Sequence, residues 1–462
     1  MPAPPLGSEP AIVRATGIPP AYDKPPACPQ QAEGLCNHAQ VNKNDLRKAL
    51  HLGLGRAILY AQHHDMREFR DVILDACLHC HAYDIQIEGT RASYMHDLVG
   101  FLPDKDFYHA EVLKSLAEGG DDWDASQRFH FAACLAFHGN EAARQAMYDH
   151  YNPGPRMGDH IGVDFLKLDG IEGLLFAADK LGGRLTTGPD VIEEGWLLSQ
   201  SLEICGEQAT WNALREAGAT NPMIERYRLR AEEEHRLRAP QPGQRIAIVP
   251  PRYRDLLSDI PMNNAYLYTK WGEIATEGEL ELAAKGLIAA KNSTEQLAHL
   301  RIFARRRFPL DVHPLLSLAD VEEDRVGFAA VRALTRVIDP AVRELAFRLV
   351  NSRAAWRGGA ISLLTENYEL GDHRIVLGWF KQEEQDEERH SMGLGLIDFW
   401  KRHRDEETEV LMMRSLYENG PCSFCRENAV DRLIELRALP DEFRAECAWD
   451  ANDDIRDLVK TS

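Results

Sequence analysis

The residues most able to do chemistry lie at 77–81, where two cysteines and a histidine are close in sequence. Cys77-Leu-His-Cys80-His81 has the CxxCH form of covalent haem attachment. Such attachment needs an oxidising compartment, and the opening MPAPPLGSEP does not resemble an export signal. On a helix, Cys77, Cys80 and His81 would share one face and offer three ligands to zinc. Because structural zinc takes four ligands, packed cysteines without a cofactor are favoured over a zinc site.

A second cysteine pair, Cys422-Ser-Phe-Cys425, follows Gly420-Pro421 at a predicted helix start. Thiols at a helix N-terminus can be acidified and reactive. A lone CxxC motif is weakly specific, however, and free cysteines are commonly buried. Simple packing is therefore again the favoured interpretation, with metal binding or reactivity as the alternative.

The histidines are concentrated towards the front, where 12 of 18 fall between His38 and His160. Histidine can act as a base or a metal ligand. These residues form no HExxH pattern, and the sequence contains no P-loop, no GxGxxG after a strand and no GxSxG motif. Most are expected to be surface or packed histidines. No catalytic residue is assigned, and a role other than catalysis is expected.

Residues 83–91 form a polar segment between two predicted helices, and three of its side chains are candidate ligand-binding residues. Asp84, Glu88 and Arg91 could meet a ligand, because loops on rigid scaffolds often carry function. The alternative is a capping loop, in which Thr90 caps the next helix and Arg91 pairs with a carboxylate. The capping loop is favoured.

A basic run at 301–307 supplies the other candidate ligand-binding residues. Arg301 and Arg305 are four residues apart, so a helix would place both on one face, where they could grip phosphate. An acidic run at 381–388 offsets the positive charge of this basic run. Both runs are more simply interpreted as solvent-exposed helix faces.

The elements that must position these residues are predicted to be helices throughout. Residues 1–43 hold nine of the 24 prolines and are predicted to be a disordered arm. Apolar residues then recur at helical spacing over 44–238, which we predict to be an N-terminal helical array. A linker is predicted at 239–262, including a β-like run at 245–249, and a second helical array at 263–462.

The second array carries a specific resemblance. Residues 324–334, followed by Asp339-Pro-Ala-Val-Arg-Glu-Leu-Ala346, look like a HEAT repeat in their turn aspartate, proline and Val-Arg pair. Comparable cap positions recur at Asp372 and Asp405, at intervals of 33 residues. A fixed step is typical of stacked helix pairs. The resemblance is clearest over 263–459 and implies an all-α fold, an α-solenoid of antiparallel helix pairs.

HEAT-like arrays present long concave surfaces, so the resemblance implies an intracellular protein-binding scaffold or adaptor. The alternative is a HEAT-like nucleic-acid-binding protein, by analogy with HEAT-like DNA glycosylases, or a metal-dependent enzyme with its site in the N-terminal half. The formal charge of −20 disfavours nucleic acid and favours a basic protein partner.

Cysteine content and hydropathy indicate the cellular compartment of the protein. Nine scattered cysteines indicate reduced thiols and a cytoplasmic protein rather than a secreted disulfide framework. The sequence also contains no run of about 18 uncharged apolar residues, so no membrane span is predicted.

Overall fold

The computed structural model describes residues 41–119, 123–153, 158–185, 195–238, 251–259, 261, 264–320, 324–352 and 354–461. Within these ranges the chain is helical and contains no strand, which confirms the predicted all-α class. None of the described helices is both long enough and apolar enough to cross a membrane. The predicted arm, except for its last three residues, and the β-like run at 245–249 lie outside the described residues.

The chain divides into two compact units. Unit 1 comprises Met1–Gln244 and Pro440–Ser462, and unit 2 comprises Arg245–Leu439. The sequence pattern places residues 440–462 in the C-terminal array, whereas the structure groups them with the N-terminal helices. The predicted linker at 239–262 also contains a helix, Tyr253–Asp259.

The first part of unit 1 is a series of helices joined by short connections. In chain order they are α1 (Lys43–Leu52), α2 (Arg56–His63), α3 (Arg70–Leu78), α4 (Ile85–Glu88), α5 (Ala92–Gly100), α6 (Lys105–Ser115), α7 (Trp123–Phe137), α8 (Glu141–His150), α9 (Gly158–Asp169), α10 (Ile171–Arg184), α11 (Trp196–Ile204), α12 (Glu207–Gly218) and α13 (Pro222–Arg238). Buried apolar side chains from α7 to α13 form one core. Its aromatic centre consists of Tyr148, Tyr151, Phe165 and Phe176.

Glycine and asparagine set the helix boundaries in unit 1. The Asn42 side chain accepts hydrogen bonds from two amides of α1, and Gly53 ends this helix with a φ of 71°. The apolar pattern predicts one helix through this region, but the turn at Gly53 splits it into α1 and α2. Farther along, Gly139 has a φ of 84° and the Asn140 side chain caps α8, so the break between α7 and α8 also falls at a glycine and an asparagine.

Unit 2 follows with another series of helices. They are α14 (Tyr253–Asp259), α15 (Ala265–Ile274), α16 (Glu277–Ala289), α17 (Ser293–Ile302), α18 (His313–Ala319), α19 (Asp324–Leu334), α20 (Pro340–Val350), α21 (Ala360–Leu364), α22 (Asp372–Gln382), α23 (Asp386–Arg402), α24 (Glu406–Asn419) and α25 (Ser423–Glu435). Helices adjacent in sequence contact each other at α16–α17, α18–α19, α20–α21, α22–α23 and α24–α25. Helices two apart also contact each other, at α15–α17, α17–α19, α21–α23 and α22–α24.

The three aspartates spaced by 33 residues have two different roles. Asp339 and Asp405 are N-caps, accepting hydrogen bonds from the amides of Ala341 and Thr408, as predicted. Asp372 is instead the first residue of α22 and is buried. Its carboxylate accepts hydrogen bonds from the Arg343 guanidinium at 2.7 and 2.9 Å. The prediction of a cap at Asp372 is therefore wrong, because this carboxylate binds Arg343 of α20 instead of an amide of its own helix.

The chain returns to unit 1 through α26 (Asp441–Cys447) and α27 (Asp453–Thr461). The Arg56 guanidinium pairs with Glu446 at 2.8 Å, and the Ala451 amide donates to the Gly53 carbonyl at 2.8 Å. At Gly55, a Cβ atom would lie 1.9 Å from the Glu446 carbonyl oxygen. The backbones approach so closely here that only glycine fits.

Candidate functional site

The structure does not assemble the predicted ligand set at residues 77–81. Helix α3 ends at Leu78, so Cys80 and His81 do not continue the helical face of Cys77. Cys77 is fully buried, and burial raises the pKa of its thiol. The Cys80 amide donates to Asp124 at 2.8 Å. Cys77, Cys80 and His81 therefore do not form a metal-ligand cluster, and the convergence predicted for them is wrong.

The candidate residues at 84–91 have structural contacts. Arg91 is 5% exposed, and its guanidinium donates to the carbonyls of Leu50 and His51 at the end of α1 and to Glu88 at 3.1 Å. These contacts fit the capping-loop alternative for Arg91, because its side chain fastens one helix end. Asp84 is half-buried and occupies the N-cap position of α4 without a side-chain capping bond.

Thr90 does not cap α5, because the cap position belongs to Arg91. Its hydroxyl lies 2.9 Å from His130 Nδ1, and His130 Nε2 lies 3.2 Å from the Asp164 carboxylate. Burial lowers the pKa of His130. The ring of another front histidine, His96, stacks on His138. These contacts match the packed role expected of most front histidines.

The arginine pair is also separated by the end of a helix. Helix α17 ends at Ile302, so Arg305 lies beyond the helix that carries Arg301, and the predicted shared face is wrong. Arg305 donates to Glu273 at 2.6 Å. Burial lowers the pKa of Arg301, and the nearby charge of Arg325 adds to the shift. The two guanidinium groups therefore do not form the phosphate clamp that the sequence suggested.

A thiol–imidazole cluster in unit 2 is the candidate site with the clearest chemistry. It comprises His390 on α23 together with Cys422 and Cys425 at the start of α25. One ligand atom from each residue lies within 4.8 Å of the other two, and Cys425 Sγ lies 3.7 Å from His390 Nδ1. Among the described residues, this is the one such group of three or more metal-ligating side chains.

Local sequence explains how the two cysteines come together. Helix α24 ends at Asn419, and after Gly420-Pro421 the chain enters α25 with Cys422 in the N-cap position. Cys422 has extended backbone angles, φ −79° and ψ 126°, as N-cap residues commonly do. Cys425 follows three residues later, in the first turn of the helix, so both side chains lie on one side of the helix start.

Hydrogen bonds stabilise the thiolate form of Cys422. The Cys425 thiol is the main cause of a Cys422 pKa well below its usual range, with His390 and the Cys425 amide adding to the effect against burial. Cys422 and Cys425 are buried, and His390 is half-buried. Two thiols and an imidazole in this arrangement can form a disulfide, provide a nucleophilic thiolate or bind a soft metal ion. The CxxC spacing identifies the two cysteines from the sequence, but nothing in the sequence around His390 indicates that it joins them.

A second feature of unit 2 is a partly apolar surface formed by three alternate interhelical segments. The Asn367 side chain donates to the Val337 carbonyl and accepts from the Asp339 amide, both at 2.9 Å, so these turns are joined. A cleft of about 420 Å³ lies between the Val337–Asp339 turn and the segment at 307–312. We call residues 307–312, 337–339 and 367–372 the turn edge. On it, Ile338 is 61% exposed and Leu370 is 97% exposed.

Comparison with protein-family models, curated proteins and solved structures gave no match. The turn edge and the thiol–imidazole cluster are the two features of unit 2 that could support a function.

Proposed function

We propose that the protein is a protein-binding scaffold whose unit 2 is a HEAT-like α-solenoid of antiparallel helix pairs. Contacts between helices one apart and two apart in sequence support this arrangement, because each pair in a stack packs on its neighbours. The Arg343–Asp372 ion pair supports it further, since it joins the first turns of α20 and α22.

The exposed aliphatic side chains of the turn edge carry the functional part of the proposal. Leaving a large aliphatic side chain in water costs about 1.5–3 kcal/mol relative to burying it. Ile338 and Leu370 both remain largely exposed on turns that Asn367 joins. A partner that covers this surface would recover that free energy. Clustered exposed apolar residues are typical of interaction sites.

The charge around the cleft favours a basic partner. Its lining contains the carboxylates of Glu277, Asp311 and Asp339 but one guanidinium, that of Arg307. This excess agrees in sign with the formal charge of −20 for the whole chain. A segment that carries lysine or arginine beside aliphatic residues would complement both the charge and the apolar surface.

Photo-crosslinking tests the proposal at the most exposed of these positions. A benzophenone amino acid at position 370 is expected to crosslink a discrete partner in cells. The matched control carries the same group at Leu237 on α13, which is 69% exposed but lies in unit 1. We expect the double substitution I338K and L370K, which removes the aliphatic side chains and repels a basic partner, to lose the proteins that co-purify with the parent chain, whereas L237K keeps them.

Stability must be measured alongside binding. Because all three positions are exposed, we expect each variant to keep the parent melting temperature within a few degrees. Equal crosslinking from positions 370 and 237, or an unchanged set of co-purifying proteins in the double variant, would contradict the turn edge as the binding surface. If the parent chain recovers no partner, the scaffold proposal itself fails.

A further inference from the structure

We propose that His390, Cys422 and Cys425 bind one zinc ion, with a fourth coordination position left to a water molecule or an external ligand. This inference goes beyond the scaffold role and stands independently of it. It rests on the separation, burial and chemical type of three side chains contributed by two helices.

The separation of the ligand atoms fits a metal site. Zinc binds sulfur at about 2.3 Å and imidazole nitrogen at about 2.0–2.1 Å in a tetrahedral arrangement, which puts a sulfur and a nitrogen ligand about 3.6 Å apart. The distance from Cys425 Sγ to His390 Nδ1 is 3.7 Å, and all three ligand atoms lie within 4.8 Å of one another. A zinc ion can therefore enter after small side-chain adjustments.

The helices hold the three ligands in position before any metal arrives. Cys422 and Cys425 occupy the cap and the first turn of α25, while His390 projects from α23, and these two helices contact each other. Ligands supplied by packed helices lose little conformational entropy when the metal binds. The site is thus preorganised.

The type and charge of the ligands select the class of metal. Thiolate sulfur and imidazole nitrogen suit zinc, whereas magnesium and calcium prefer oxygen ligands. Cys422 and Cys425 are buried, and a buried unpaired charge is costly. Two thiolates around one divalent cation have no net charge. The metal therefore removes the electrostatic cost of ionising both thiols in a buried site.

The number of ligands indicates an open coordination sphere. Among the described residues, no further Cys, His, Asp or Glu joins the group. Structural zinc sites are closed by four protein ligands, whereas three protein ligands with a fourth exchangeable position are typical of sites that bind a substrate or a water molecule. We therefore expect the bound metal to accept an external ligand such as imidazole or a small thiol.

Metal titration of the full-length chain tests the site. The reduced, chelator-treated protein is titrated with Co²⁺ without oxygen, and then with Zn²⁺ in competition with a chromophoric chelator. We expect one ion per chain, a sulfur-to-cobalt charge-transfer band and the intense visible bands of tetrahedral cobalt. Added imidazole should shift the visible bands, because it enters the open position.

Three variants tie the signal to these residues. The double substitution C422S and C425S should abolish the charge-transfer band, and H390A should weaken zinc binding by more than about 100-fold. The control C205S removes a cysteine of unit 1 that is not in the cluster and should bind zinc like the parent. Circular dichroism checks that each variant is folded. H390N provides a second ligand variant if H390A does not fold.

The outcomes distinguish the site from its alternatives. No binding by the parent would overturn the proposal, as would binding that survives the double cysteine substitution. A Cys422–Cys425 disulfide that resists reduction would also overturn it. Binding of zinc with no response to imidazole would contradict the open fourth position.

Discussion

The substitution D372A is expected to lower the free energy of unfolding of unit 2 by about 3 kcal/mol or more. The Asp372 side chain is 1% exposed and accepts two hydrogen bonds from Arg343 and one from the Glu369 amide. Its removal would leave the Arg343 guanidinium, 18% exposed, with Glu369 as its remaining carboxylate partner. The same hydrogen bonds raise the pKa of Arg343, which shows that its charged form is stabilised there.

A double-mutant cycle with R343M measures the pair itself. If Asp372 and Arg343 act together, the double variant should be less destabilised than the sum of the two single variants. The exposed pair Arg348–Asp320 is the matched control, with side chains 53% and 56% exposed, and D320A should cost less than about 1 kcal/mol. Urea unfolding gives the free energies, and hydrogen exchange in α20 and α22 localises the effect.

A comparable cost for D372A and D320A would show that the buried pair contributes no more than a surface pair. It would also weaken the proposed helix stack, because the Arg343–Asp372 ion pair joins α20 to α22.

Asp372 also shows what local sequence can predict about the fold. The caps at Asp339 and Asp405 follow from nearby residues, because an N-cap side chain bonds to amides two or three positions later. In α22 the cap position is occupied by Gly371, with a φ of 101°. The Asp372 carboxylate instead accepts a hydrogen bond from Arg343 of α20. Sequence spacing finds the aspartate but does not reveal a partner 29 residues away.

The candidate sites show the same division between local and tertiary information. The two ligand clusters that the structure does not form, at residues 77–81 and 301–305, each require a helix that continues past its observed end. The first helix ends at Leu78 and the second at Ile302. The pair Cys422 and Cys425 was found because its three-residue spacing is local. His390 was missed because packing between α23 and α25, rather than sequence proximity, brings it to the cysteines.

The return of the chain to unit 1 is also not predicted by local sequence patterns. The ending around Asp450 resembles a HEAT turn, so sequence alone extends the C-terminal array to the end of the chain. Gly53 and Gly55 interrupt the first helical pattern, and glycine permits another backbone to approach closely. Their positions do not identify the approaching segment: in the structure the carbonyl of Glu446 lies against Gly55, and the amide of Ala451 donates to the Gly53 carbonyl.

The close approach at Gly55 leads to the second large effect, a loss of about 3 kcal/mol of stability in unit 1 on G55A. The backbone angles of Gly55 are ones that alanine can adopt, so alanine should gain about 0.4–1 kcal/mol by reducing the entropy of the unfolded chain. Against this gain, the new Cβ would lie 1.9 Å from the Glu446 carbonyl oxygen and 2.8 Å from the Trp449 carbonyl carbon. Both atoms belong to backbone, so the C-terminal segment must move away.

Movement of that segment would disrupt its contacts with the first helices of unit 1. The Arg56–Glu446 ion pair, with Glu446 only 3% exposed, would lose its geometry, as would the edge-to-face contact between Phe101 and Trp449. Hydrogen exchange should therefore accelerate in α26 and α27 as well as in α1 and α2. G100A is the matched control, because a Cβ at this helical glycine meets no atom within 4 Å. Equal stability of G55A and G100A would show that the C-terminal segment contributes little to unit 1.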